Sequence, residues 1–200
     1  MGPSHRERIR QHLLALDERD RYLRFGYAAG DAQIDRYVDG LDFERDEIFG
    51  IYSRKIQLIA MAHLALHADA SSANCAEFGV SVASAARGRG YGARLFERAV
   101  MHARNGGVDK MLIHALSENT VMLKIARKAG AEVQREGPES EALLYLPAAT
   151  LDTRMSEMVE EQYAQTDYRL KVQAKQFRDI LGQLQEVRQG VRDARGKSAA

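Results

Sequence analysis

A strand that runs through a glycine turn and straight into a helix sits near the middle of this sequence. The segment Ala76-Glu-Phe-Gly-Val-Ser-Val-Ala-Ser-Ala-Ala-Arg-Gly-Arg-Gly-Tyr-Gly92 places glycines at 88, 90 and 92, with a helix expected over Gly92–Asn105. Glycine lets a backbone come close to a ligand and take up turns closed to other residues. The first N–H groups of the helix have no intrahelical acceptor, and they stand at the positive end of its dipole. Together they form a cradle for an anion. Arg87, Arg89 and Arg94 add positive charge at the same place. A phosphate or pyrophosphate suits such a cradle; the alternative is a glycine turn with solvated arginines.

Composition narrows the classes. With 200 residues, 45% hydrophobic and 28% charged, the chain fits one globular domain or one domain plus an appendage. A body of about 150 residues buries roughly 70% of its unfolded surface, enough for a real core. The formal net charge of +1 supplies no global field toward nucleic acid or anionic lipid. The lone Cys75 excludes an internal disulfide and a CxxC metal knuckle. The apolar run Ile56–Leu66 is far short of the roughly 20 residues of a membrane span, and the first residues lack a signal-peptide core. A soluble, cytoplasmic protein is expected.

Periodicity divides the rest. Helices are predicted over Arg6–Leu16 (Ile9, Leu13, Leu16 on one face) and Asp31–Leu41 (Ile34, Tyr37, Val38, Leu41), with Arg19–Gly30 between them as a loop. Glu47–Tyr52 and Ile56–His67 form a hairpin about Ser53–Lys55, although the Ala, Leu and Met of the second run also permit a helix. Strands follow at Ala76–Val82 and Lys110–Leu116, a helix at Asn119–Ala129 ending on Gly130, and a closing strand pair at Val133 and Leu143–Leu146 around Gly137-Pro138. From Ala148 to Leu181 there is neither glycine nor proline, which predicts a long helix. Its stripe is Met155, Val159, Tyr163, Thr166, Leu170, Ala174, Phe177, Leu181, Leu184 and Val191. Leu151–Leu170 carries five acids and two bases, Lys171–Ala200 seven bases and three acids. An antiparallel copy would match charge end to end, so a homodimer through 148–191 is expected; folding back on its own domain is the alternative.

Two phosphate motifs compare poorly with the glycine turn. No Gly-Lys-Ser/Thr follows it, which excludes the Walker loop. Gly88-x-Gly90-x-x-Ala93 with Glu118 fits a dinucleotide fingerprint, but it lies mid-chain, among arginines, with a single strand–helix–strand unit. The better match is Arg87-x-x-Gly90-x-Gly92, which resembles the Q/R-x-x-G-x-G/A signature of the GNAT N-acetyltransferases. Ser117-Glu-Asn-Thr-Val-Met-Leu-Lys-Ile-Ala-Arg-Lys-Ala-Gly130 resembles the family's second element, and the likeness covers about Glu47 to Leu146. Ala76-Glu77-Phe78, Glu118-Asn119 with Met122, and Leu16-Asp-Glu-Arg-Asp-Arg-Tyr-Leu-Arg-Phe25 are similar to Pat-type protein-lysine acetyltransferases.

The resemblance implies an α/β fold with a largely antiparallel sheet splayed at an acyl-CoA cleft, followed by a long C-terminal helical extension. It implies acetyl-CoA as co-substrate and a primary amine, on a protein lysine or a small molecule, as acceptor. Val80, Ser81 and Val82 would offer backbone hydrogen bonds to the pantetheine arm. Arg87, Gly88, Arg89, Gly90, Tyr91 and Gly92 would hold the pyrophosphate, Asn119 would contact the cofactor or order the adjacent loop, and Glu77 would be the general base. The domain would span 1–147, with N-terminal helices in 5–42 and a cofactor-binding core in 47–146, and 148–200 would be an interaction element. The chain departs from the family twice. Ala126 stands where many members carry a tyrosine acid, leaving solvent, Ser117 or His114 to protonate the thiolate. Too few residues precede Arg6 for the family's usual first strand. Two other classes stay open: a catalytically degenerate acetyl-CoA-binding module and a helix-mediated structural or interaction protein. Metal is not expected, because His63 and His67 on a strand lie about 13 Å apart.

Overall fold

The apolar stripes near the N-terminus do form helices. In the computed structural model, which describes residues 1–67 and 74–197 and the side chains of 1–66, 74–179 and 181, α1 spans Arg6–Leu14, α2 Glu18–Phe25 and α3 Asp31–Asp39. Ile9 and Leu13 of α1 and Ile34 and Val38 of α3 are fully buried, packed with Ile48, Leu58 and Met61 of the sheet. The expected loop over Arg19–Gly30 is in part a helix, α2. Asp17 caps its start by accepting from the Asp20 N–H at 2.8 Å, and Gly26 ends it. Its sequence, Glu-Arg-Asp-Arg-Tyr-Leu-Arg-Phe, hides the helix because charged residues anchor it, not an apolar stripe. Arg21 donates to the carbonyls of Leu14 (2.6 Å) and Leu16 (3.0 Å) and pairs with Asp31.

The sheet is built from β1 (Glu47–Tyr52), β2 (Leu58–His67), β3 (Cys75–Val82), β4 (Lys110–Leu116), β5 (Glu132–Glu136) and β6 (Glu139–Tyr145), in the order β1-β2-β3-β4-β6-β5. The ambiguous Ala/Leu/Met run is a strand. Ala60, Ala62 and Leu64 face a core shared with α4 (Tyr91–Asn105) and α5 (Thr120–Lys128), while Met61 faces the N-terminal helices. Every neighbouring pair is antiparallel except β3 and β4, which α4 joins in parallel. That pair holds only from Cys75–Lys110 to Glu77–Leu112 and then parts, giving the splayed, GNAT-like sheet. Among the described residues no strand precedes α1. The outer edge of β1 instead receives the Met1 amine on Ile48 O (2.5 Å) and Lys171 Nζ on Tyr52 O (2.9 Å).

Lys171 belongs to α6 (Leu151–Lys197), the long helix predicted after Pro147. A polar face of α6 lies on the body: Glu157 meets His102 Nδ1 and Asn105 Nδ2 at 2.6 Å each, and Tyr168 Oη accepts from Arg8 at 2.6 Å. The predicted apolar stripe faces the other way. Met155, Val159, Tyr163, Leu170, Phe177 and Leu181 are between 44 and 68% exposed. The side chains of Leu184, Val191 and His67, and residues 198–200, lie outside the described residues.

Candidate active site

At the end of β3 the chain turns through a short 3-10 segment, Ser84–Ala86, into the glycine turn. Gly88 (φ +73°) and Gly90 (φ +75°) occupy the left-handed region, where a side chain would be strained. Gly90 is the residue before the first turn of α4 and, having no side chain, leaves that turn uncapped. The N–H groups of Tyr91, Gly92 and Ala93 are therefore available to a ligand. Arg87, Arg89 and Arg94 are exposed around them. A Cβ on Gly92 would make ordinary contacts, 3.7 Å from Ile125, so neither its backbone nor space requires glycine there.

Where β3 and β4 part lies a cleft of about 510 Å³, whose lining stops at Val80 on β3 and does not include the glycine turn. One wall is Glu77, Gly79 and Val80; the other includes Ile113, Leu116 and Ser140, with Asn119 and Met122 at the α5 end. Val80, Ser81 and Val82 pair with Ala62, Met61 and Ala60 of β2, and beyond the last β3–β4 partners the backbone groups of Val80 and Val82 face the splay. Ser81, by contrast, takes no part in the cleft: its Oγ lies 2.9 Å from His12 Nε2, and opposite Met61, two residues from the Ala83 N–H to Ile59 O bond, its own N–H and C=O belong to the β2 ladder. Glu77 stands at the fork of the V, opposite Leu112. Asn119 caps α5, its Oδ1 accepting from Met122 N at 3.2 Å.

A buried polar chain ends on the same wall. Arg24 Nη2 donates to Tyr37 Oη (2.8 Å), Tyr37 Oη lies 2.7 Å from His63 Nδ1, and His63 Nε2 is 3.0 Å from Asp46 Oδ2. With the Asp46 carboxylate accepting from Nε2–H, Nδ1 of a neutral His63 accepts the Tyr37 hydroxyl proton. Burial pushes the His63 imidazole below its ordinary value, against the pull of Asp46. Burial also raises the Tyr37 phenol. Burial opposes the Asp46 charge, but hydrogen bonds from Arg45 and His63 outweigh it and hold its carboxyl below the usual range. The Arg24 guanidinium rests on the β3 backbone so closely that a Cβ at Gly79 would come within 2.6 Å of it.

The splayed parallel pair, the glycine turn at its end and the capped helix after β4 find a common counterpart among known proteins. The model of the Acetyltransferase (GNAT) family matches residues 12–131. The chain belongs to the GNAT acetyltransferase family. Its fold is similar to the GNAT domain of S. lividans Pat (22% identity, 73% of this chain and 88% of that one, TM-score 0.61). It is also similar to ribosomal-protein-alanine N-acetyltransferase from Brucella melitensis (15%, 72% and 95%, TM-score 0.57). A third is YncA from Salmonella typhimurium, solved with its cofactor acetyl-CoA (14%, 74% and 89%, TM-score 0.55). No curated protein matches the chain.

As a GNAT acetyltransferase the protein takes acetyl-CoA as co-substrate, and its cradle and open strand edge fit a pyrophosphate and an extended amide-bearing arm. Glu77, Val80 and Asn119 all line the cleft, and the Arg87–Gly92 turn stands at the end of β3. Two further features depart from the sequence expectation in detail. The Arg87 guanidinium pairs with Asp20 of α2, and the Ser117 hydroxyl is bound to Glu139 O (2.9 Å) and Ser140 Oγ (2.8 Å), tying a hairpin corner. His114 lines the cleft, 3.9 Å from Glu141. Ala126 is fully buried in the core. Sequence reasoning missed Arg24 and Tyr37 as cleft residues, Asp46 as the far end of their polar chain and Asp20 as the partner of Arg87. The available signals were a polar His63 within an apolar strand and the charged Leu16–Phe25 segment. Among the described residues no three His, Cys, Asp or Glu side chains gather as a metal site.

Proposed function

We propose that this protein is an acetyl-CoA-dependent N-acetyltransferase that acetylates a primary amine, on a protein lysine or a small molecule, by direct attack on the thioester. The observation that carries this reading is the parting of β3 from β4 just beyond Glu77, with the glycine turn at the far end of the opened strand. Bound acetyl-CoA supplies an activated acetyl group. The Arg87–Gly92 turn would bind its pyrophosphate through backbone N–H groups and arginines, and Val80 and Val82 would bond the pantetheine arm along the open edge of β3. Glu77 would accept the acceptor's proton, directly or through water. That step is needed because a lysine-like amine, with a pKa of about 10.4, is neutral in only about one molecule in a few thousand at pH 7. A β3 N–H, at Val80, would meet the charge that develops on the thioester oxygen. The thiolate leaves with the electrons of the broken C–S bond and is protonated by solvent or His114.

The domain would occupy 1–147 and the extension 148–200 would be an interaction element. The outward apolar stripe of α6 and its divided charge support an antiparallel homodimer. No described helix is long and apolar enough to cross a membrane; together with the lone cysteine and the near-zero net charge this supports a cytoplasmic protein without nucleic-acid partners. The buried Ala126, in the place of a tyrosine acid, favours a second reading, a cofactor-binding module without turnover.

Calorimetric titration with acetyl-CoA, CoA and NADH tests the proposal. Micromolar acetyl-CoA binding that is lost in Arg87→Ala, followed by CoA release with an amine, is the expected result. Binding without CoA release across an amine panel supports the module. Binding of NADH alone overturns both.

A further inference from the structure

α2 is held to the body by charged residues that each reach a different place. Arg21 anchors it to α1 and α3, Arg24 lies on Gly79 in the cleft wall, and Arg19 approaches Glu118 before α5 at 3.8 Å. Asp20, one turn before Arg24, points to the glycine turn and pairs with Arg87. It is an unusual carboxylate. Asp20 is 9% exposed, and its Oδ2 is buried without a hydrogen-bond partner among the described residues, while Arg87 on the other side is 47% exposed.

A buried carboxylate with one oxygen unsatisfied is a poor way to fasten a helix, because its desolvation is only partly returned by the pair. It is a good way to fix an arginine. The guanidinium presents five N–H donors in a rigid plane, and holding one side of that fork leaves the outer donors in a set direction. Arg87 opens the turn whose Gly88 and Gly90 expose the α4 N-terminus, so the arginine held by Asp20 is the one that leads into the anion cradle. An arginine already held loses less freedom when it binds a phosphate oxygen than one free in solvent.

We propose that Asp20 is a positioning residue for the cofactor: through Arg87 it presets the pyrophosphate-binding turn, and α2 thereby joins that turn to the cleft wall where Arg24 lies. The inference rests on the reading of the Arg87–Gly92 turn as the pyrophosphate site.

The test is a double-mutant cycle on the full chain, read as the acetyl-CoA dissociation constant by calorimetry, with each variant's thermal melt recorded. Asp20→Asn is expected to weaken acetyl-CoA binding about tenfold, in line with loss of a charge-assisted contact. Arg87→Ala should weaken it at least as much, and Asp20→Asn added to Arg87→Ala should weaken it no further. Equal weakening by Asp20→Asn in both backgrounds, or none in the presence of Arg87, overturns the proposal. If Arg87→Ala binds acetyl-CoA as the unaltered protein does, the pyrophosphate reading itself fails. Should Asp20→Asn not fold, Asp20→Glu takes its place in the same cycle, because moving the carboxylate by one methylene also misdirects the fork.

Discussion

His12 shows how much one side chain can commit to a site it does not line. It is buried between α1 and the sheet, its Nδ1 3.1 Å from Leu58 O and its Nε2 2.9 Å from Ser81 Oγ, so the neutral ring donates at Nδ1 and accepts at Nε2. Burial pushes its pKa from the ordinary 6.5 down to about 4. Below 6.5 the unfolded chain binds a proton that the folded one refuses. The stabilisation is therefore present above pH 6.5 and lost as pH falls toward about 4, by about 3 kcal/mol in all. The lowered His63 acts with the same sign. Urea midpoints taken between pH 7 and pH 4 should fall steeply, and His12→Gln should flatten the slope; an unchanged slope would show that other groups control it. In the proposed reaction Glu77 is the general base. Glu77→Gln should lower turnover of the best amine more than about tenfold, about 1.4 kcal/mol of barrier, with acetyl-CoA affinity kept. A smaller loss would remove Glu77 as the base.

At the scale of elements, short-range rules explain the helix ends and long-range contacts explain α2. Asn119 was legible as the start of a helix because an Asn before an apolar stripe caps it, and it does so through Met122 N. Asn119→Ala should cost about 1 kcal/mol of stability by denaturant titration, and it should weaken acetyl-CoA as well only if the side chain also touches the cofactor. The glycine turn was legible for the same local reason: Gly88 and Gly90 take positive φ where their positions in the sequence suggested a tight approach. α2 was not, because its fixings are partners far along the chain: Tyr37 for Arg24 and Arg87 for Asp20. No periodicity within eight residues records them.

At the scale of the whole molecule, α6 carries the proposed dimer. Its polar face is already spent on His102, Asn105, Arg8 and the Tyr52 carbonyl, which leaves a solvent-facing stripe of large apolar residues on a long helix. In the proposed dimer this stripe is the association surface. Sedimentation at tens of micromolar should give about twice the chain mass of 22.4 kDa. Met155→Lys with Phe177→Lys should return the single-chain mass while leaving acetyl-CoA binding intact. A 22.4 kDa species from the unaltered protein would refute the dimer.

Sequence alone determined the features that are local in the chain: the strand, glycine turn and helix of the anion cradle, the apolar faces of α1 and α3, and the existence of the long helix α6, which runs on through Gly182 and Gly190 beyond the glycine-free stretch. Each is fixed by backbone conformations and side-chain periods that a few neighbouring residues impose. Tertiary structure alone decided where β3 and β4 part, which side of α6 meets the body, and the joining of Asp46, His63, Tyr37 and Arg24 into one chain beside Glu77. These depend on strand register and on hydrogen bonds between residues distant in sequence. Their energies exist only once the sheet has brought the partners together and excluded water from between them.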